Sequence, residues 1–175
     1  STMPDQYVLD FIRRREMETA NQPLFIEFIL VSSHAPFHRQ PPYLEDWSLI
    51  ENGAIYNDLN TVTFPILWPD LTNASEGYVS AIRYDLTVIA AFIRQYVHKD
   101  ALIVILGDHQ PNAQLTGKHQ PWLVPVHVIS RNAELLNPFQ ERGFRPGLIP
   151  AQPSLYRGMD SFLFDFLADF STADK

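Results

Sequence analysis

The sequence predicts an α/β fold in which a mostly parallel sheet is layered with helices. Three observations predict it: short, continuously apolar runs at residues 24–31 and 101–106, a long helical pattern at 76–97 between them, and a third apolar run at 124–129. Strands covered on both faces read as unbroken Val, Ile and Leu runs, and their alternation with helices marks a sheet with helices packed against it. With 175 residues and 46% hydrophobic content, the chain suits one domain, or a large piece of one, with a substantial core.

The elements follow in order. Over residues 4–20, Tyr7, Val8, Phe11 and Ile12 fall on one helical face. Asp5 sits in the first turn, where a carboxylate favours the positive end of the helix dipole. The basic run Arg13-Arg14-Arg15 is offset by Asp10, Glu16 and Glu18 and reads as a solvated helix face. Residues 24–31 form the first predicted strand, with Glu27 out of keeping, and run out into Ser32-Ser33-His34-Ala35-Pro36-Phe37. Residues 41–72 carry Pro41, Pro42, Pro65 and Pro69 among the aromatics Tyr43, Trp47, Tyr56, Phe64 and Trp68, without a sustained period, and read as a long ordered excursion.

Asn73 or Ser75 can cap the helix at 76–97, whose stripe is Tyr78, Ile82, Leu86, Ile89 and Phe92 or Ile93. The wholly apolar strand at 101–106 ends in Gly107-Asp108-His109. Pro125, which lacks an amide donor, puts the strand at 124–129 at a sheet edge, at a bulge, or at its first pairs. An aromatic-rich helix from Ser154 or Tyr156 to about residue 170 closes the chain, bearing Met159, Phe162, Leu163, Phe166, Leu167 and Phe170.

Composition excludes several function classes. A net charge of -7 and a pI near 5.2, without clustered Lys and Arg, argue against a nucleic-acid partner. The absence of cysteine excludes disulfides and thiolate metal sites, so a metal would be held by carboxylate, imidazole or hydroxyl groups, which suits Zn, Mn, Mg or Ca. No run approaches the roughly 18 apolar residues of a membrane helix, and no signal-peptide pattern opens the chain, which reads as soluble. Gly-rich phosphate loops of the Gly-x-Gly-x-x-Gly or P-loop kind are missing.

In open α/β sheets, ligands bind beyond the carboxyl ends of strands, where loops present polar side chains from a rigid scaffold. Two predicted strands end in this way, one at Asp108 and His109, the other at Ser32, Ser33 and His34. Adjacent Asp and His share a metal only where the chain leaves strand geometry, and Gly107 permits that bend. A carboxylate oxygen and an imidazole nitrogen then make a half-shell for a divalent ion. Taken alone, the triplet reads equally well as an N-cap Asp followed by a surface His. His38 reads as solvent-facing, His98 as a helix C-terminal cation, and His127 as a hydrogen-bonded core or edge residue.

The run from Glu76 through Tyr78, Tyr84 and Asp85, followed by Asp100 to His109, resembles the sulfatase-like branch of the alkaline phosphatase superfamily. There a helix bearing Tyr and Asp precedes an apolar strand ending in Asp-His. His34-Ala35-Pro36-Phe37 resembles the His-x-Pro-Phe element of lipoteichoic-acid-synthase-like enzymes, and the likeness covers most of residues 3–130. The resemblance implies an alkaline-phosphatase-like fold and a metal-dependent hydrolase or transferase acting on phosphate or sulfate esters, lipid-linked esters included.

It further implies that Asp108 and His109 are metal ligands and that His34 contacts the transferred phosphoryl or sulfuryl group, or a second metal where one exists. His119 would match another active-site histidine of phosphoethanolamine transferases, while Asp85 takes a structural position. Relatives continue Asp-His with Gly, whereas Gln110-Pro111 follows here, so the loop beyond takes another path. The family's nucleophilic Thr or Ser lies on an earlier strand, so residues 1–175 are expected to be the C-terminal portion of the catalytic domain, inactive without its upstream half. The parent protein is expected to be membrane-anchored, with this domain extracytoplasmic, in the periplasm or at the cell surface. The alternative is a degenerate, non-enzymatic binding or scaffold domain of the same fold.

Overall fold

The computed structural model describes residues 3–149 and 156–171. The chain divides into two compact units, one of Ser1–Val97 with Asn112–Lys118, the other of His98–Pro111 with His119–Lys175.

In the first unit Pro4 leads in extended geometry into α1 (Asp5–Ile12), which continues through a π-helical turn, Arg13–Met17. The helix is where the sequence predicts it, but its buried face differs. Asp5, Gln6, Leu9 and Asp10 are buried, whereas Phe11 is exposed and stacks on Tyr7. Burial of three polar side chains is tolerated because each is satisfied. Asp5 accepts from the amides of Val31 and Ser32, and Gln6 both donates to and accepts from the Leu44 backbone, at 2.6 and 2.9 Å. Asp10 is paired with Arg13 and Arg14. The basic run is therefore not simply a solvated face, since Arg13 also lies over the Tyr96 ring, 4.3 Å from its centroid.

Residues 24–31 form no ladder. Their side chains alternate nonetheless: Ile26, Phe28 and Leu30 are half-buried, while Phe25 and Ile29 are 89% and 79% exposed. An extended run becomes a strand only when a neighbour takes up its backbone groups, and the last amides here go to the side chain of Asp5. Among the described residues of this unit the one ladder joins β1 (Arg39–Gln40) to β2 (Val62–Thr63), antiparallel, with Arg39 opposite Thr63. Between them, the predicted excursion supplies core: Trp47 and Ile50 lie in and beside a 3₁₀ turn (Trp47–Leu49) started by Asp46, which accepts from the Ser48 amide.

Helix α2 (Ser75–Tyr96) is close to its predicted span, but it buries Gly77, Ala81, Tyr84, Asp85, Val88, Ala91 and Phe92. The predicted stripe is turned outward in part, with Leu86 55% exposed. A helix apolar on two sides gives no unique face from periodicity alone. Two clusters result: Leu9, Trp47, Ile50, Tyr84, Val88, Ala91 and Phe92 in one, and Phe37, Ile66, Leu71, Ala74 and Ala81 in the other. The short helix α3 (Ala113–Thr116) adds Leu115 to the second.

In the second unit β3 (Ile103–Leu106) pairs antiparallel with β4 (Val126–Ile129), Ile103 opposite Ile129 and Leu106 opposite Val126. Both strands fall within their predicted runs, and β4 begins directly after Pro125, where a missing donor costs no ladder bond. Helix α4 (Asn137–Glu141) buries Phe139, which meets Phe144, Phe162 and Phe170. Helix α5 (Met159–Phe170) begins later than the sequence suggests, and Ser154 lies outside the described residues. Arg142 forks to Asp165 and Asp169.

The expected α/β fold, a mostly parallel, alkaline-phosphatase-like sheet layered with helices, is thus overturned. Among the described residues all pairing is antiparallel, in two two-stranded ladders. The apolar runs correctly marked strand-forming segments at β3 and β4, but apolarity carries no information about strand direction. A parallel pair needs both a crossover and a correctly placed neighbour, and residues 24–31 take no part in any ladder.

Candidate functional site

Strand β3 ends at Leu106 and the chain bends at once, so Asp108 and His109 are not held on opposite faces. The Asp108 Oδ1 accepts from the His109 amide at 2.9 Å, a local bond that folds the carboxylate back along the chain. His109 Nδ1 lies 2.7 Å from the Gln110 carbonyl oxygen, which can only accept. That contact places a proton on Nδ1, and in the neutral ring Nε2 keeps its lone pair. Nε2 lies 3.6 Å from Asp108 Oδ2, and both side chains are well exposed. Carboxylate and imidazole thus lie beside each other at an open corner.

The pair offers two donors, whereas zinc takes about four ligands and calcium six to eight. Among the described residues no group of three or more His, Asp or Glu side chains is gathered for a metal. Asp108 and His109 are therefore brought together, and His119 does not join them in such a group. His119 is exposed and has a left-handed backbone, φ 64°, two residues beyond Gly117.

His34 belongs to the first unit. Its amide donates to the Val31 carbonyl at 3.0 Å, closing a turn, and its Nδ1 lies 2.7 Å from the Ala35 carbonyl oxygen. The imidazole is thus set as that of His109 is, with Nδ1 spent on the next residue's carbonyl. Beyond it, Phe37 is buried at φ 60° and meets Tyr78 edge-on at 5.3 Å. Its carbonyl oxygen approaches α2 so closely that a Cβ on Gly77 would sit 2.6 Å from it. The His34-Ala35-Pro36-Phe37 segment is accordingly a surface histidine anchored by a core phenylalanine.

Asp5, Ser33 and Asp85 were not legible in the sequence as one cluster. Asp5 presents as a helix-dipole residue, and Asp85 carries only one signal, a carboxylate on an otherwise apolar face of α2. Burial, and to a smaller extent the Asp5 charge, push the Asp85 carboxyl up to about 7 against the hydrogen bonding of Ser33. Burial likewise raises the Tyr84 and Tyr56 hydroxyls above the ordinary tyrosine range.

Among the described residues no helix is long and apolar enough to cross a membrane. Compared with known proteins, the chain matches no family model and has no significant match among curated proteins or solved structures.

Proposed function

We propose that this chain works as part of a metal-dependent hydrolase or transferase of phosphate or sulfate esters, with Asp108 and His109 as two ligands of a divalent ion. The observation that carries the reading is the corner itself: Nδ1 of His109 is spent on Gln110, and Nε2 lies 3.6 Å from an exposed Asp108 carboxylate oxygen. Their chemistry fits zinc or manganese, which accept imidazole and carboxylate together. A bound ion would supply Lewis acidity, offsetting negative charge on the ester's oxygens.

The remaining roles belong to the chain's own residues. The Gln110 carbonyl and the His109 amide orient imidazole and carboxylate before any ligand arrives. By the resemblance to sulfatase-like enzymes, His34, an exposed histidine of the first unit, is assigned contact with the transferred group. His119 lies in the same unit as the metal corner and is a second, weaker candidate for substrate contact. The parent protein is proposed to be membrane-anchored and to act outside the cytoplasm, with lipid-linked esters among its substrates.

The test uses the protein expressed from its own gene, with everything that flanks these residues present. Turnover of chromogenic phosphate and sulfate esters is measured after chelation and after restoring zinc or manganese. The reading expects metal-restored turnover that Asp108→Asn and His109→Ala each lower by about a hundredfold or more, as loss of a metal-site partner does. Metal-independent turnover, or turnover untouched by both substitutions, contradicts it.

A further inference from the structure

The first unit holds a buried polar cluster that the ester chemistry does not use, and it surrounds the turn that carries His34. Asp5 opens α1 fully buried, with its two oxygens taken by the amides of Val31 and Ser32 at 2.9 and 2.8 Å. Its own amide donates to the Ser32 hydroxyl at 3.3 Å. From α2, Asp85 is 7% exposed and faces Ser33 and the Asp5 carboxyl. Its Oδ1 has no hydrogen-bond partner, and neither has the Tyr84 hydroxyl. Residues 31–33 are therefore held between two carboxyls that belong to two different helices.

The groups around Asp85 decide its behaviour. Ser33 from the turn supports its ionised form, and Asp5 from α1 opposes it. Tyr84 beside it and Tyr56 from the 3₁₀ turn Ala54–Asn57 are neutral phenols in this pH range. Arg13 and Arg14 of α1 are engaged by Asp10. Two neighbouring carboxyls shielded from water do not both ionise cheaply. Asp85, with its Oδ1 unpartnered, is the group that burial disposes to hold a proton.

We propose that Asp5 and Asp85 form a proton-gated clamp on the turn at residues 31–34, and that the one proton they hold between them sets how His34 is presented. With that proton in place, Asp85 is neutral and the clamp is closed. When it leaves, two carboxylates confront each other across the turn, the grip on the Val31 and Ser32 amides weakens, and His34 moves with them. Asp5 and Asp85 act here as positioning residues. The clamp concerns the turn and not the metal corner, so it stands or falls separately from the ester reading.

The test is a pH titration of the protein followed by NMR, reading the aspartate side-chain carboxyl carbons and the amides of Val31 and Ser32. One aspartate carbon is expected to titrate near pH 7, with both amides following the same midpoint. Asp85→Asn, which keeps the shape of the protonated acid, removes that carbon's transition and holds both amides at their low-pH positions. His34→Gln leaves the transition in place and so separates it from imidazole titration. The proposal is overturned if every aspartate carbon titrates in the ordinary carboxylate range, or if the amides keep the transition in Asp85→Asn or lose it in His34→Gln. Should Asp85→Asn fail to fold, the wild-type carbon and amide curves decide alone.

Discussion

Two turns in this molecule pair aspartate with a histidine-bearing segment, and they have opposite characters. At the His34 turn the Asp5 carboxylate is buried and both its oxygens are filled by backbone amides. At the His109 corner Asp108 is exposed, one oxygen accepts a single local amide, and the other lies 3.6 Å from the imidazole Nε2. The first carboxylate is consumed by the fold; the second stays open to solvent. Residue type does not separate the two cases, whereas burial and the saturation of lone pairs do.

The sharpest way to break this contrast is Asp5→Ala. It leaves the Val31 and Ser32 amides without an acceptor in a closed environment, where each orphan costs about 1–3 kcal/mol. Urea unfolding should show a loss of about 3–5 kcal/mol for the pair together. A loss no greater than that of a surface substitution would show that the turn does not depend on Asp5.

Next in size is Phe139→Ala, which empties the centre of the aromatic cluster in the second unit. Truncating a buried Phe costs about 3–5 kcal/mol, with the lower part of that range expected here because α5 keeps exposed neighbours. Near-ultraviolet circular dichroism of the aromatic signal during unfolding checks it. Gly77→Ala follows, since the added Cβ would meet the Phe37 carbonyl at 2.6 Å and Ile66 at 2.7 Å. Overpacking of this kind costs about 1–3 kcal/mol, read as a fall in the melting temperature.

A pH scan sharpens the comparison further. Because the Asp85 carboxyl is raised in the folded state to about 7 from an ordinary 3.8, the native chain binds the extra proton between those values. Its contribution to stability is full below the unfolded value and is lost as pH rises through about 7. In Asp85→Asn this part of the slope should vanish. The smallest stability effect is expected at the other turn, where Asp108→Ala and His109→Ala remove exposed side chains and change folding by about 0.5 kcal/mol or less.

The sequence exposed part of this account. The existence of α1, α2, β3, β4 and α5 was legible because long helical patterns and apolar runs of four or more residues survive any tertiary arrangement. What was not legible is which face each helix buries. The apolar period of α1 points to Phe11, yet Asp5, Gln6 and Asp10 go inside because distant backbone groups at Val31, Ser32 and Leu44 pair with Asp5 and Gln6, and two arginines of the same helix pair with Asp10. Long-range satisfaction of this kind leaves no periodic trace. The parallel sheet failed for a related reason, since residues 24–31 have the composition of a strand and lack the neighbour that would make them one.

The corner at Asp108 and His109 was legible to the extent that Gly107 announces a bend after an apolar strand. The setting of the two imidazoles, each with Nδ1 turned to the following carbonyl, was not, because it depends on rotamers. The central claim is that this corner gathers a divalent cation while the buried carboxylates do not. Manganese titration followed by paramagnetic broadening of the backbone amide signals tests it most directly. The account predicts selective loss of the signals around Asp108 and His109, abolished in Asp108→Asn, with those of Val31 and Ser32 broadened no more than the rest of the chain. Uniform broadening, or broadening centred on Asp5 and Asp85, would contradict it.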